Sequence, residues 1–177
     1  MDNFDGDFIQ RHAKAVAGYC PVHVICVIKN ASITDKEPAI EKNVTSNLTE
    51  QVIYYNSAKT GIPILDKYLS QRKYNRLYQK AIKEYIAANG KPQVVHVHVA
   101  IKAGSLALWM LHQWNIPFIV TEHWTGYLPD ADIRLNSFSL IYRRWLKKVL
   151  IKASVITVVS EYLGKAIRKQ FPVTNYR

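Results

Sequence analysis

The stretch that most constrains the fold is Pro92–Pro129, PQVVHVHVAIKAGSLALWMLHQWNIPFIVTEHWTGYLP. Its opening run, Val94–Val99, is too short for a helix and rich in β-branched residues, as a buried strand is. Small residues at Ala103-Gly104-Ser105 predict a turn, after which Leu106, Trp109, Met110 and Trp114 recur at helical spacing. Asn115-Ile116-Pro117 ends that helix, and Phe118–Thr121 is a second buried strand. Strand, helix and strand within about thirty residues make a βαβ unit, whose strands are parallel and whose crossover is right-handed. The strands finish in His98 and in Thr121-Glu122-His123. Open parallel sheets bind ligands at the carboxyl ends of their strands, so chemistry is expected there.

The rest of the chain alternates in the same way. Phe8–Val16 has one apolar helical face closed by Gly18, and Pro21–Ile28 reads as a strand. Lys29–Glu50 is polar and without periodicity, which predicts a loop, and Val52–Tyr55 a short strand. The Thr60-Gly61-Ile62-Pro63 turn precedes a long helix, Leu65–Ala88, with Leu65, Tyr68, Leu77, Tyr78 and Ile82 in its stripe and Asn89-Gly90 as its stop. A loop from Trp124 to Asn136 leads to a helix over Ser137–Ala153, a strand over Val155–Val159, and a helix from Glu161 to Gln170 with Ser160 as its N-cap. The expected fold class is α/β: a doubly wound, mainly parallel Rossmann-like sheet with helices on both faces. With 177 residues, 49% of them hydrophobic, one domain over residues 1–177 can bury a substantial core.

The net charge of +11 is unevenly spread: from Ile133 onward Glu161 is the only acid, against ten Lys and Arg. Such an excess favours an anionic partner, whether nucleic acid, phospholipid surface or phosphorylated substrate; the alternative is a charge that serves solubility. On the helix over Ser137–Ala153, Phe138, Ile141, Tyr142, Trp145, Leu146, Val149 and Leu150 form one stripe, and Arg143, Arg144, Lys147, Lys148 and Lys152 the other. The basic stripe is either a solvated outer face or a surface that rests on anionic headgroups, at about 1 kcal/mol for each cation. No helix-turn-helix, zinc or RNP-type signature supports a nucleic-acid-binding module. No segment is long and apolar enough for a bilayer, the start is acidic rather than signal-like, and Cys20 and Cys26 lie about one strand, ill placed to bridge. A reduced, cytoplasmic setting is expected, with the basic face peripheral on the inner membrane.

Few residues carry obvious chemistry. Asp5-Gly6-Asp7 is either an Asp-Gly turn with Asp7 as helix cap or a backbone cradle for phosphate, and no GxGxxG or P-loop motif occurs. His96 and His98, two apart on a strand, share a face. With His123 they fall short of a metal set, since no HExxH or suitably placed cysteine accompanies them. His96 is expected to pack and bond to backbone, whereas His98 and His123 at strand ends can meet hydroxyls or phosphates. Trp124, Tyr127, Asp130 and Arg134 suit a sugar, which presents apolar faces and hydroxyl edges, or else form a lid packed on the domain.

GDFIQRHAKAV, VVHVHVAIKAG, IPFIVTEHWTGY and ASVITVVSEYLGKAI, in this order and spacing, resemble the N-terminal domain of family-4-type glycosyltransferases with the GT-B fold. The resemblance implies retaining transfer of a sugar from a nucleotide-sugar co-substrate to a glycan or lipid-linked acceptor, with no metal or other cofactor. It implies that Gly6 meets the donor diphosphate, that Ser160 and Glu161 line the donor side of the cleft, and that His123 lies at the transferred sugar as the catalytic residue. His98, Glu122, Trp124, Tyr127 and Arg134 then face the acceptor. The donor-binding C-terminal domain has no counterpart in this sequence, and neither has the strand that the family carries before Asn3. The chain is therefore expected to be inactive alone, partnered by a C-terminal GT-B domain in cis or, as a non-catalytic subunit of a split enzyme, in trans.

Overall fold

The computed structural model describes residues 7–32, 38–57 and 60–176. Gly6, expected at the donor diphosphate, lies outside them. The chain falls into two compact units, Met1–Ala88 and Asn89–Arg177.

The first unit runs α1 (Asp7–Ala17), β1 (Val22–Lys29), β2 (Ala39–Thr45), β3 (Leu48–Tyr55) and α2 (Pro63–Asn89). Its sheet has the order β1-β3-β2, with β1 parallel and β2 antiparallel to β3. The expected loop over Lys29–Glu50 thus contains a strand, β2. Every residue of β2 is exposed, so its AIEKNVT shows no buried face and no apolar alternation to read. One face of the sheet, Ile25, Val27, Ile53 and Tyr55, packs on Tyr74, Leu77, Tyr78 and Ala81 of α2. The other face meets α1, where Gln10 Nε2 donates to Glu50 Oε1 at 2.9 Å. Val22 donates its N–H to Asn47 O and Asn30 its N–H to Tyr55 O, so the odd-numbered N–H groups of β1 point away from β3. There Tyr78 Oη accepts the Val27 N–H at 3.2 Å. Helix α2 starts two residues earlier than its apolar stripe, at Pro63, whose fixed φ suits a first helical position. Within its first turn, Asp66 accepts from both N–H and Oγ1 of Thr60, which holds its carboxyl below the usual range. Leu65 and Tyr68, expected in the buried stripe, are exposed; the helix packs through its later turns.

The second unit runs β4 (Val95–His98), α3 (Ala100–Trp114), β5 (Phe118–Glu122), α4 (Leu140–Lys152), β6 (Val155–Val158) and α5 (Glu161–Gln170), with single 3-10 turns at Thr125–Tyr127 and Leu135–Ser137. Its sheet is β4-β5-β6, all parallel. Val97, Phe118, Val120 and Ile156 pack with Leu146, Val149 and Leu150 of α4 and Leu163 and Ile167 of α5 in one continuous core. The Ala103-Gly104-Ser105 segment is not a turn but part of the early turns of α3. Gly104 is there for contact: a Cβ would stand 2.7 Å from Val149 Cγ1, so only glycine lets α3 and α4 approach this closely. Asn115, left-handed at φ 56°, closes α3 where the sequence placed its end. Helix α4 is shorter than expected: Ser139 is its N-cap, accepting the Tyr142 N–H, and Ser137 belongs to the preceding 3-10 turn. Ile141, expected in the buried stripe, is 80% exposed. The fold class stands as α/β, mainly parallel, with the parallel pairs distributed over two three-stranded sheets.

Candidate active site at the strand ends of the second unit

The parallel strands β4, β5 and β6 end together in His98, Glu122 and Val158, followed by Val99, His123 and, two residues on from β6, Ser160. Alternation splits this sheet into an apolar face (Val97, Phe118, Val120, Ile156) and a polar one. On the polar face the His96 ring lies 4.3 Å, centroid to centroid, from the His98 ring. His96 Nε2 stands 2.6 Å from Thr121 Oγ1, which in turn is 2.7 Å from Thr157 Oγ1. His98 Nδ1 and His123 Nε2 are 3.3 Å apart, one donating to the other, and the two rings are stacked 5.5 Å apart. His98 and His123, singled out from sequence, are therefore brought together. Thr157 was missed, although its place between Ile156 and Val158 gives the alternation that would have found it.

Glu122 requires a correction. It is fully buried, and its oxygens are taken by four donors. Oε2 accepts from the Ala100 N–H at 3.2 Å and the Tyr127 hydroxyl at 3.0 Å; Oε1 accepts from the N–H groups of His123 at 3.1 Å and Trp124 at 3.0 Å. No lone pair is left to face an acceptor sugar. Burial raises its carboxyl above the ordinary range, opposed by these hydrogen bonds. Its carboxylate does the work of an N-cap for α3, whose own cap residue, Val99, offers no side-chain bond. Val99 sits at φ 64° and ψ 102°, an outlier for a β-branched residue and a strain of about 1–3 kcal/mol. Its N–H still bonds Thr121 O at 3.0 Å, so the ladder runs one residue past β4 before the chain swings into α3.

Tyr127 is corrected likewise: it is buried, its hydroxyl spent on Glu122, and burial beside that carboxylate pushes it well up. Trp124 is half-buried, edge-on to Tyr127 at 5.1 Å and to Phe138 at 5.8 Å. It lies so close over Gly126 that a Cβ there would fall 2.0 Å from its ring. These aromatics form the packed lid rather than an open sugar platform. Arg134 is exposed, with Nε on Ala131 O at 3.4 Å. Ser160 Oγ caps α5 by accepting the Leu163 N–H at 3.3 Å, as its position predicts, and Glu161 pairs with Lys165 at 2.9 Å on the exposed side of that helix. Of the basic stripe, Arg144, Lys147, Lys148 and Lys152 are exposed and Arg143 is half-buried. Among the described residues no helix is long and apolar enough to cross a membrane.

Sequence comparison decides the family, because the family model of Glycosyltransferase Family 4 matches residues 11–177. The chain belongs to Glycosyltransferase Family 4. No curated protein sequence matches it. Among solved structures it is similar to sucrose-phosphate synthase from Thermosynechococcus elongatus, with a TM-score of 0.66 at 17% identity, over 98% of this chain and 41% of that one. At that identity the likeness speaks for the fold, that of a GT-B glycosyltransferase, and the chain spans less than half the length of its neighbour. The strand ends just described therefore belong to a glycosyltransferase domain, in the position where its α/β fold presents ligands.

Proposed function

We propose that this chain is the acceptor-side half of a retaining glycosyltransferase. In this reading it moves a sugar from a nucleotide-sugar to a glycan or lipid-linked acceptor at the inner face of a membrane, without a metal cofactor. The observation that carries the reading is the family match over residues 11–177, with the His98–His123 pair on the rim where parallel strands end. His123 stands at the transferred sugar. Its ring is oriented by His98 through the side chain and by Glu122 through the backbone N–H, so it offers a fixed donor or acceptor to a sugar hydroxyl. Ser160 and Glu161, just past β6, form the donor-side wall, and the exposed Arg134 flanks the acceptor. Charge that develops on the diphosphate leaving group is stabilised by preorganised donors on a partner domain, joined in cis or supplied as a separate chain.

Two measurements test this. The purified 177 residues, offered a panel of nucleotide-sugars and glycan acceptors, are expected to show no turnover; measurable transfer would overturn the claim that a second domain is needed. Joined to or mixed with its donor-binding partner, the chain with His123→Ala is expected to lose at least about 100-fold in kcat, the usual scale for removing a positioned polar group. A variant with unchanged kcat would remove His123 from the chemistry.

A further inference from the structure

A cavity of about 340 Å³ lies between the start of α4 and the end of α5. Leu135 and Phe171, both buried, contribute its apolar lining with Leu140, and Arg143, Arg144 and Lys147 bring three cations to it. Among the described residues none of these three cations is in an ion pair with a carboxylate; the ion pairs there join Lys80 to Glu84 and Lys165 to Glu161. Arg143 is held in place by Nη1 donating to Asn136 Oδ1 at 3.2 Å. Its Nε is buried and meets no acceptor among the described residues. A buried guanidinium N–H without an acceptor is an unmet demand that an entering oxyanion satisfies. At the same helix start stand large apolar residues in water: Leu140 is 63% exposed and Ile141 80%.

We propose that this cavity is a binding site for the phosphoryl group of an anionic membrane phospholipid. The planar fork of Arg143 and the charges of Arg144 and Lys147 match phosphate oxygens. The exposed aliphatic side chains beside them choose the lipid over a soluble phosphate, because they gain only where a headgroup is followed by acyl chains. Lys148 and Lys152, on α4 but outside the cavity, add diffuse attraction to the same surface. The inference rests on the membrane part of the proposed function. Its test involves no sugar transfer, so the two readings can fail separately.

The experiment is co-sedimentation of the chain with phosphatidylcholine vesicles, with and without phosphatidylglycerol, for wild type, Arg143→Gln, Arg143→Lys, Lys148→Gln and Ile141→Ser. Lys148→Gln removes one charge from the same helix and is expected to weaken binding about 5-fold. Arg143→Gln removes a charge and its hydrogen bonds and is expected to weaken it about 50-fold or more. Arg143→Lys keeps the charge but not the fork, for a loss of about 10-fold. Ile141→Ser, at a position too exposed to disturb folding, is expected to cost about 10-fold. Binding that needs phosphatidylglycerol, with this ranking, supports the site. Equal losses in Arg143→Gln and Lys148→Gln would reduce it to diffuse charge and overturn it. So would binding without phosphatidylglycerol, no vesicle binding at all, or displacement by inorganic phosphate as effective as removing the anionic lipid.

Discussion

The two sheets handle polar groups in opposite ways. In the first unit they stay at half-buried or exposed positions: His23 is 3.3 Å from Gln51 and 4.7 Å from the Tyr85 ring, and Glu50 takes Gln10 at the surface. The core beneath them, around Val27, Ile53, Tyr55 and Ala81, is filled out with tyrosines from α2. In the second unit a carboxylate lies buried against a dense aliphatic core, with four donors converging on it. Such a group is tolerable only where its surroundings are held in place, since each donor left unmatched in the interior costs about 1–3 kcal/mol. The second unit therefore fixes geometry, and the strand ends that carry the histidine pair inherit that fixity.

The largest effect that would break this contrast is a hole in the second core. Leu146→Ala, at a fully buried position, is expected to lower stability by about 2–5 kcal/mol, read as faster amide exchange across β4, β5 and β6. The comparison change in the first unit, Tyr78→Phe, strands the Val27 N–H at the edge of β1 and is expected to cost about 1 kcal/mol. If exchange in the two sheets responds equally to both variants, the units do not differ in the way described.

Next in size is Glu122→Gln. An amide keeps the shape but turns an NH2 group toward N–H donors, leaving at least one unmatched, for about 1–3 kcal/mol by denaturant unfolding. Tyr127→Phe, which removes one donor of the four, is expected to cost less. A Glu122→Gln protein as stable as wild type would mean that the network contributes nothing to holding the core.

The pH dependence sharpens the contrast, because His23 in the first unit and Glu122 in the second carry shifts of opposite sign. Burial lowers the His23 imidazole below 6.5, so the unfolded chain binds more protons there. The stability of the first unit accordingly rises with pH from that lowered value up to 6.5. Burial raises Glu122 above 4.5, so the folded chain binds more protons. Its contribution is fully present below 4.5 and is lost as pH rises through the raised value. Exchange-based stability of each sheet as a function of pH should show these two slopes, and Glu122→Gln should abolish only the second. The smallest expected effect is at Val99: Val99→Gly relieves the strained φ but adds chain entropy, a net change of within about 1 kcal/mol toward stability.

Much of the second unit was legible because its signals are local. The β-branched runs at Val94–Val99 and Phe118–Thr121, the Asn115 stop and the Ser160 cap each act within a few residues, and each lies where the sequence placed it. What was not legible depends on residues distant in the chain. Gly104 reads as a turn until Val149 is placed against it. Glu122 reads as an open, sugar-facing acid until Ala100, Trp124 and Tyr127 close on it, and a fully buried carboxylate is the exception among such residues. Strand β2 was hidden for the opposite reason: wholly exposed and half polar, it owes its conformation to pairing with β3 rather than to any pattern of its own. At the candidate site, the sequence placed His98 and His123 at strand ends, where the structure brings them together, but did not show which neighbours support the rim from behind.

The most direct test of that support is nitrogen NMR of the imidazoles of His98 and His123, comparing the wild-type chain with Glu122→Gln and with Tyr78→Phe. The expected result is a His98–His123 hydrogen bond that is present in the wild type, weakened or lost in Glu122→Gln and untouched in Tyr78→Phe. An unchanged pair in Glu122→Gln would contradict the claim that the buried carboxylate sets the geometry of the rim.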